Sequence, residues 1–425
     1  MEKKYSIPER SWALYDWANS AYTLVIVTAI MPLYFKSVAT EAGISATTST
    51  AYWGYANSIA TLIVSILAPI LGTIADFKGF KKRFFVFFTT LGVIFTLLLA
   101  VVPSNQWFIL LIFFVLTSVG FAGANIFYDA FLVDVTTEDR MNKVSAHGYA
   151  IGYIGSTIPF IISIAIIILA QESIIPLSVT VASQIAFVIT ALWWGIFTIP
   201  MLKNVEQNFY VERVSNPVRT SFKKLLQTFK NIKVYRPLFL FLLAYFFYID
   251  GVHTVIKMST AYGSDLGISS STLLIVLFVT QIVAAPFSVI FGKFGTKYGD
   301  KKMIMVGIFI YIFICCYAFF LDSALDFWVL AMLVGTAQGG IQSLSRSYFA
   351  KLVPKESSNE FFGFYSIFGK FAAVAGPVLL GITAQITGNT NFGVFSLVVL
   401  FIIGALILLR VPNPEEVALD QGIGK

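Results

Sequence analysis

Charged side chains are scarce in this sequence. Only 12% of its 425 residues are Asp, Glu, Lys or Arg, whereas 57% are hydrophobic. A typical soluble domain carries about twice that charged fraction. The hydrophobic residues also occur in blocks of roughly 20, the length that spans the hydrocarbon core of a bilayer. A soluble fold could not bury so many apolar helices, so the sequence predicts an all-α membrane protein.

Cysteine and histidine are equally scarce, with two residues of each. Cys315 and Cys316 are adjacent inside an apolar block, which favours packing over a disulfide or a metal site. No His, Cys and carboxylate residues have the spacing of metal ligands, and no Gly-Lys-Ser/Thr loop is present to hold ATP phosphates. The loops are too short for a catalytic domain, and no nucleophile–base pair is evident. We therefore expect no enzyme activity, no metal and no cofactor.

Twelve apolar blocks are long enough to cross a membrane as helices. We place them at 12–36, 51–75, 84–102, 107–133, 147–170, 176–200, 237–261, 271–294, 303–321, 327–349, 360–385 and 391–410. The first block contains Asp16, Asn19 and Ser20, and it lacks the uninterrupted apolar core of a cleavable signal peptide. We expect it to be retained as the first transmembrane helix.

Basic residues occur almost entirely in the loops on one side of these blocks. The loops on the other side contain five acids and no Lys or Arg: Glu41, Glu172, Asp265, Asp322 and Asp326. Because cytoplasmic loops are enriched in Lys and Arg, we predict a multi-pass protein of the cell membrane with both termini in the cytoplasm. The net charge of +7 then reflects topology, and no nucleic-acid partner is expected.

The chain also repeats itself. A pattern of two glycines followed by two lysines occurs at Gly72, Gly79, Lys81 and Lys82, and again at Gly292, Gly299, Lys301 and Lys302. Trp107 and Trp328, and Pro159 and Pro377, recur at nearly the same offset. These repeats predict two six-helix halves, 1–200 and 237–425, joined by a linker at 201–236.

The linker contains a basic stretch from Pro217 to Arg236. Its apolar residues recur at helical spacing: Phe222, Leu225, Leu226, Phe229 and Ile232. This pattern favours an amphipathic helix on the anionic inner leaflet. A solvated connector between the halves is the alternative.

The loop at 76–83 resembles the signature loop between the second and third helices of the major facilitator superfamily. In that family the loop latches the two halves together, with its acid facing a helix N-terminus. The resemblance implies a cytoplasmic latch made of Gly72, Asp76, Gly79, Lys81, Lys82, Arg83 and Asp134. Phe80 stands where the family usually has arginine, so Lys81, Lys82 or Arg83 has to supply the cation, with Asp134 as its expected partner.

The stretch from Tyr15 to Tyr22, Tyr-Asp-Trp-Ala-Asn-Ser-Ala-Tyr, is similar to the vacuole effluxer-like family. That family belongs to the major facilitator superfamily and includes autophagy-related vacuolar amino-acid exporters and bacterial relatives. The resemblance implies a major facilitator fold and the export of small solutes such as amino acids.

Several spanning helices carry polar groups on one face. Ionisable groups at membrane depth are costly, and they usually line substrate or ion paths. We expect nine residues to take part in substrate binding or coupling: Asp16, Asn19, Asp129, Asp250, His253, Lys257, Gln338, Gln342 and Arg346. On the seventh span, Asp250, His253 and Lys257 share one face, and their mutual pairing would lower the cost of burying them. For the first and seventh spans, a structural polar cluster is the alternative interpretation.

Together these features predict a monomeric secondary transporter that exports a small amphipathic solute, an amino acid or related metabolite, by alternating access. Its expected partners are the solute, a coupling ion taken to be the proton, and membrane lipids. Two other functions remain open: an exporter of drugs or lysolipids, and a receptor or scaffold that keeps the fold without transporting.

Overall fold

The structure is a computed structural model that describes residues 4–212, 220–221, 223–224, 227–228, 235–265, 268, 270–320, 323–388 and 390–413. These residues contain twelve helices long and apolar enough to cross a membrane. They are α1 (Ile7–Glu41), α2 (Ala46–Ala75), α3 (Phe80–Leu99), α4 (Trp107–Ala130), α5 (Met141–Gln171), α6 (Val179–Asn204), α7 (Arg236–Asp265), α8 (Ser270–Tyr298), α9 (Asp300–Phe319), α10 (Ala324–Leu352), α11 (Ser358–Thr387) and α12 (Thr390–Ser396 and Val398–Leu409). The predicted all-helical, twelve-span architecture is confirmed.

Local sequence explains where α1 begins and how it continues. Ser6 and Glu9 form a capping box, and Pro8 occupies the first turn, where its missing N–H costs nothing. The helix widens to π-helical geometry over Tyr22–Ile30 and returns to α-helix at Met31–Glu41. The result is one continuous helix of 35 residues, longer than the predicted span 12–36.

The helix neighbours recur with a six-helix offset. Helix α1 packs against α5 and α6, as α7 packs against α11 and α12; likewise α3 packs on α4, as α9 packs on α10. The largest contacts between these two sets are α2 with α11 and α5 with α8. We keep the division into halves as a proposal and use "first half" (α1–α6) and "second half" (α7–α12) below.

The two halves meet closely at one membrane side. We refer to the side that carries residues 76–79, 131–140, 205–212 and 353–357 as the basic side. There a Cβ at Gly72 would overlap the Asn359 backbone of α11, and a Cβ at Gly292 would overlap Ala146 of α5. The repeated glycines therefore allow the close helix crossings that seal this side.

Candidate functional site

Arg346 of α10 makes the principal buried ionic contact between the halves. Its guanidinium donates to Asp129 Oδ1 of α4 at 3.1 Å and to Asp16 Oδ2 of α1 at 3.2 Å. It also donates to the Ser145 hydroxyl of α5 at 2.9 Å and to the Ser145 carbonyl at 3.1 Å. We call Arg346, Asp16, Asp129 and Ser145 the arginine node.

Aromatic rings enclose the arginine node. The Arg346 guanidinium lies 4.6 Å from the ring centroid of Trp12 and 4.4 Å from that of Tyr149. Its side chain is 2% exposed, and that of Asp129 is 24% exposed. A planar guanidinium suits this site, because it can stack on rings while its fork of N–H donors binds several acceptors. The Arg346 side chain is thus held inside the protein and does not extend toward lipid headgroups.

The other predicted polar residues near the node occupy different surroundings. Asn19 donates to Asn125 Oδ1 of α4 at 2.7 Å, within the first half. Gln342 donates to the Gln338 carbonyl at 3.1 Å. Gln338 is buried, and its own side-chain nitrogen has no hydrogen-bond partner among the described residues. It lines a cavity between α7, α8 and α10.

Asp250 is buried between α7 and α11. Its Oδ2 accepts a hydrogen bond from the Gly376 backbone N–H at 2.7 Å, and its Oδ1 accepts one from Thr254 at 3.4 Å. A side chain at position 376 would overlap these groups, so glycine is required for the approach. The predicted direct pairing of Asp250 with His253 or Lys257 is not seen among the described residues, because the carboxylate turns toward α11 instead.

Asp76 joins the two halves at the end of α2. Its Oδ1 accepts from the Asn359 backbone N–H at 2.9 Å and from the Asn359 side chain at 3.0 Å. Asn359 lies in the first turn of α11, where backbone N–H groups lack helical acceptors and the helix dipole favours an anion. The acid thus lies against a helix N-terminus of the other half.

Lys224, from the linker, completes this contact. Its Nζ lies 3.4 Å from Asp76 and 3.2 Å from Glu360 of α11. Burial raises the pKa of Asp76 to about 6, although Lys224 opposes the shift. Burial alone would lower the pKa of Lys224, but Asp76 and Glu360 outweigh it and raise that pKa above its usual value.

Lys81 supplies the cation for Asp134. The two side chains are fully buried and 2.6 Å apart. Lys81 also donates to Ser358 Oγ of the second half at 3.1 Å, and Asp134 accepts from the backbone N–H groups of Asn208 and Phe209 at 2.7 and 2.9 Å. This pair therefore connects α3, α4, the start of the linker and α11.

The remaining residues of the predicted latch differ in role. Gly79 precedes α3 with φ of +78°, a left-handed conformation that favours glycine. Arg83 is exposed and lies over the ring of Phe80, 5.7 Å from its centroid. No contact between Asp134 and Lys82 or Arg83 is present among the described side chains.

Sequence reasoning missed one further contact that joins the two halves. Asp300, at the start of α9, lies 2.6 Å from Lys351 at the end of α10. Asn142 of α5 donates to Asp300 and accepts from Lys351 at 2.9 Å. The contact mirrors Lys81 and Asp134 with the charges exchanged. Asp300 was the sequence feature that could have indicated this contact, because it directly follows a glycine of the repeated pattern.

The described part of the linker packs against protein. Thr228 donates to Glu360 at 2.7 Å and Lys224 to Ser357 at 2.9 Å. Earlier in the linker, Gln207 accepts from the Gly79 N–H at 2.8 Å. These contacts place the described linker residues against the protein at the closed basic side. The sequence had favoured a helix on the lipid surface instead. The apolar residues predicted to enter the leaflet (Phe222, Leu225, Leu226, Phe229 and Ile232) lie outside the described residues.

Comparisons with known proteins agree with this geometry. The family described as vacuole effluxer Atg22 like matches residues 8–416. The chain is 61% identical over 421 residues to an uncharacterized MFS-type transporter, YxiO, of Bacillus subtilis (strain 168), covering 99% of this chain and 98% of that protein.

More distant relatives share the family or only the fold. Autophagy-related protein 22 of Yarrowia lipolytica is 28% identical over 311 residues, which cover 65% of this chain and 51% of that protein. A solved structure of the proton:xylose symporter XylE, a major facilitator protein, superposes with a TM-score of 0.72 at 13% identity, covering 96% of each chain. The predicted fold and the expectation of a transporter, not an enzyme, are confirmed.

Proposed function

Since the chain belongs to the family of vacuole effluxer Atg22-like transporters, we propose that it exports a small amphipathic solute, an amino acid or related metabolite, by proton-coupled alternating access. We place it in the plasma membrane as a monomer with the basic side facing the cytoplasm. The observation that carries the proposal is the set of buried polar contacts that close the basic side between the halves.

These contacts can form and break during a transport cycle, because water can hydrate the charged and polar groups of each contact once they separate. Three contacts join the first half to the second: the arginine node, the Asp76–Asn359–Lys224 contact and the Lys81–Ser358 contact. Breaking them together would open a path to the cytoplasm, while the opposite ends of the helices close. The described structure then represents the outward-facing state.

Asp250 is our candidate for the proton-carrying group. It is a buried carboxylate in a spanning helix, and its hydrogen bond to the Gly376 N–H crosses to α11 just before Pro377. A movement of α11 relative to α7 would remove that donor and favour protonation. His253 and Lys257 on the same helix supply nearby basic groups.

The test is transport by purified protein in proteoliposomes, with a panel of radiolabelled amino acids and an imposed pH gradient. We expect Asp250→Asn to lose gradient-driven accumulation while keeping solute exchange. Asp139→Asn, which neutralises an exposed acid on the basic side, is the matched control and should behave as wild type. Wild-type accumulation by Asp250→Asn with an unchanged pH profile would contradict the assignment.

A further inference from the structure

A cavity lies within the second half, between α7, α8 and α10. Its lining is mostly apolar: Ile256 of α7, Leu273, Val276 and Leu277 of α8, and Phe327, Leu330, Ala331 and Val334 of α10. Thr280, Gln281 and Gln338 complete it, and no charged side chain among the described residues lines it. An occupant has to be uncharged where it contacts the protein, because such a lining cannot replace the hydration of an ion.

Gln338 supplies this cavity with a hydrogen-bond donor. Its side chain is buried, with the residue 3% exposed, and its Nε2 has no hydrogen-bond partner among the described residues. Thr280, by contrast, donates its hydroxyl to the Val276 carbonyl at 2.7 Å. A buried amide donor without an acceptor is costly. A ligand with a carbonyl oxygen would remove that cost by accepting a hydrogen bond from Gln338.

The size and depth of the cavity limit what can occupy it. Its volume, counted at the centres of water-sized spheres, is about 40 Å³, and by that measure one water needs about 10–15 Å³. Gln338 lies on α10 well after its first residue, Ala324, about 21 Å along the helix axis. A bilayer phospholipid has its carbonyl groups near the membrane surface and long chains at this depth. A short free molecule therefore fits both the volume and the donor, and a phospholipid fits neither.

The lining of the cavity comes from one half of the protein. Every lining residue belongs to α7, α8 or α10, and none belongs to the arginine node. A solute that moves by alternating access has to contact both halves in turn. This cavity would move with the second half as a unit, so its occupant can stay bound while the halves separate and meet again.

We propose that this cavity binds a small uncharged aliphatic compound whose carbonyl oxygen accepts a hydrogen bond from Gln338. The ligand class is short neutral ketones, esters and amides. The ligand remains with the second half and is not the transported solute. The site is therefore additional to the proposed function and does not depend on which solute the protein transports.

The experiment measures how ligands protect a cysteine in the cavity from labelling. In full-length protein with Cys315→Ala and Cys316→Ser, Ala331→Cys introduces a thiol in the lining, and Leu325→Cys introduces one at the exposed start of α10. Each is labelled with the small neutral reagent methyl methanethiosulfonate, in the presence of 2-pentanone, butanoate or butylammonium. We expect 2-pentanone to slow labelling at position 331, and the two ions to need at least about 10-fold higher concentrations. Labelling at position 325 should not change.

Further variants connect the protection to Gln338. Gln338→Leu should raise the 2-pentanone concentration needed for protection by about 3- to 10-fold, since it removes one hydrogen bond between neutral groups. Gln184→Leu, which removes a glutamine amide from α6 of the first half, is the control and should not change protection. Arg346→Ala should not change it either, because the cavity lies inside one half. The unfolding temperature provides a second measurement without Ala331→Cys: 2-pentanone should raise it, and should raise it less in Gln338→Leu.

Several outcomes would overturn the proposal. The site is wrong if either ion protects as well as 2-pentanone, if Gln338→Leu leaves protection unchanged, or if 2-pentanone neither protects nor raises the unfolding temperature. Loss of protection in Arg346→Ala would show that the site depends on contact between the halves and belongs to the transport path. A phospholipid that native mass spectrometry finds on the wild type but not on Ala331→Phe would make a bilayer lipid the occupant instead.

Discussion

Replacement of Arg346 by alanine is predicted to open the basic side. The guanidinium makes four hydrogen bonds to three residues of the first half, two of them acids. In the open state these groups would be separated and hydrated, so the interaction contributes only to the closed state. Its removal also leaves Asp16 and Asp129 facing each other without a cation.

The size of the effect follows from the burial. Removing one partner of a buried ion pair costs about 3–5 kcal/mol, and Arg346 is 2% exposed with its charge shared between two carboxylates. We expect the closed state to lose about 3 kcal/mol relative to the open state, which is roughly a 100-fold change in their ratio. Arg346→Lys should have a smaller effect, because it keeps the charge but not the geometry.

Spin-label distances provide the assay. Lys203 at the end of α6 and Arg410 after α12 are both exposed, and they lie on the basic side in different halves. A Lys203→Cys/Arg410→Cys pair, with Cys315 and Cys316 replaced by alanine and serine, would report basic-side separation in nanodiscs. The wild type should give mainly the short distance, and Arg346→Ala mainly a longer one.

A combined variant tests whether uncompensated charge is the cause. Asp16→Asn and Asp129→Asn added to Arg346→Ala remove the buried acids, so thermal stability should recover relative to Arg346→Ala alone. An unchanged short distance in a folded Arg346→Ala protein would refute the idea that the node holds the basic side closed.

Three further predictions concern the other basic-side contacts. Burial in the closed state raises the pKa of Asp76 to about 6. If the carboxyl has its usual, lower pKa in the hydrated open state, the closed state binds more protons, so lowering the pH from 7 to 5 should increase the short-distance population, and Asp76→Asn should remove this pH dependence. Asp300→Asn and Lys351→Met should each destabilise the protein by about 2 kcal/mol in thermal unfolding, whereas the double variant should cost less than their sum. Lys224→Ala should lengthen the basic-side distance, and Lys223→Ala, which alters an exposed neighbouring lysine, should not; equal effects of the two would argue against a specific linker contact.

The helices were predictable from sequence because a bilayer imposes length and apolarity on each one. The twelve spans follow directly, and the resemblance at Tyr15–Tyr22 led to the correct family. Span ends were less accurate: α1 and α10 extend several residues beyond the predicted limits, since local caps such as Ser6 decide where a helix starts.

The partners of the polar residues were harder to predict. Asp16, Asp129 and Arg346 were all expected to line a site, but hydropathy says nothing about which charges meet across the halves. Asp129 and Arg346 occupy corresponding positions in α4 and α10 and contact each other, so the pair lies where the two repeats meet. Asp250 was expected to pair along its own helix, yet the Gly376 backbone N–H of α11 donates to it instead.

Linker contacts could not be predicted from periodicity alone. The basic, amphipathic pattern of 217–236 fits a membrane surface and a protein surface equally well. The acids that bind Lys224 at the protein surface are Asp76, 148 residues before it, and Glu360, 136 residues after it. Only the packing of α2 against α11 brings them together.

The central claim is that the two membrane sides open alternately, and paired distances on both sides test it most directly. Asn105 before α4 and Leu325 at the start of α10 are exposed on the side opposite to the basic side, so an Asn105→Cys/Leu325→Cys pair complements Lys203→Cys/Arg410→Cys. We predict that Arg346→Ala increases the population with a long basic-side distance. The population with a short distance on the opposite side should increase by the same fraction. Lengthening on both sides, or a change on one side alone, would contradict alternating access.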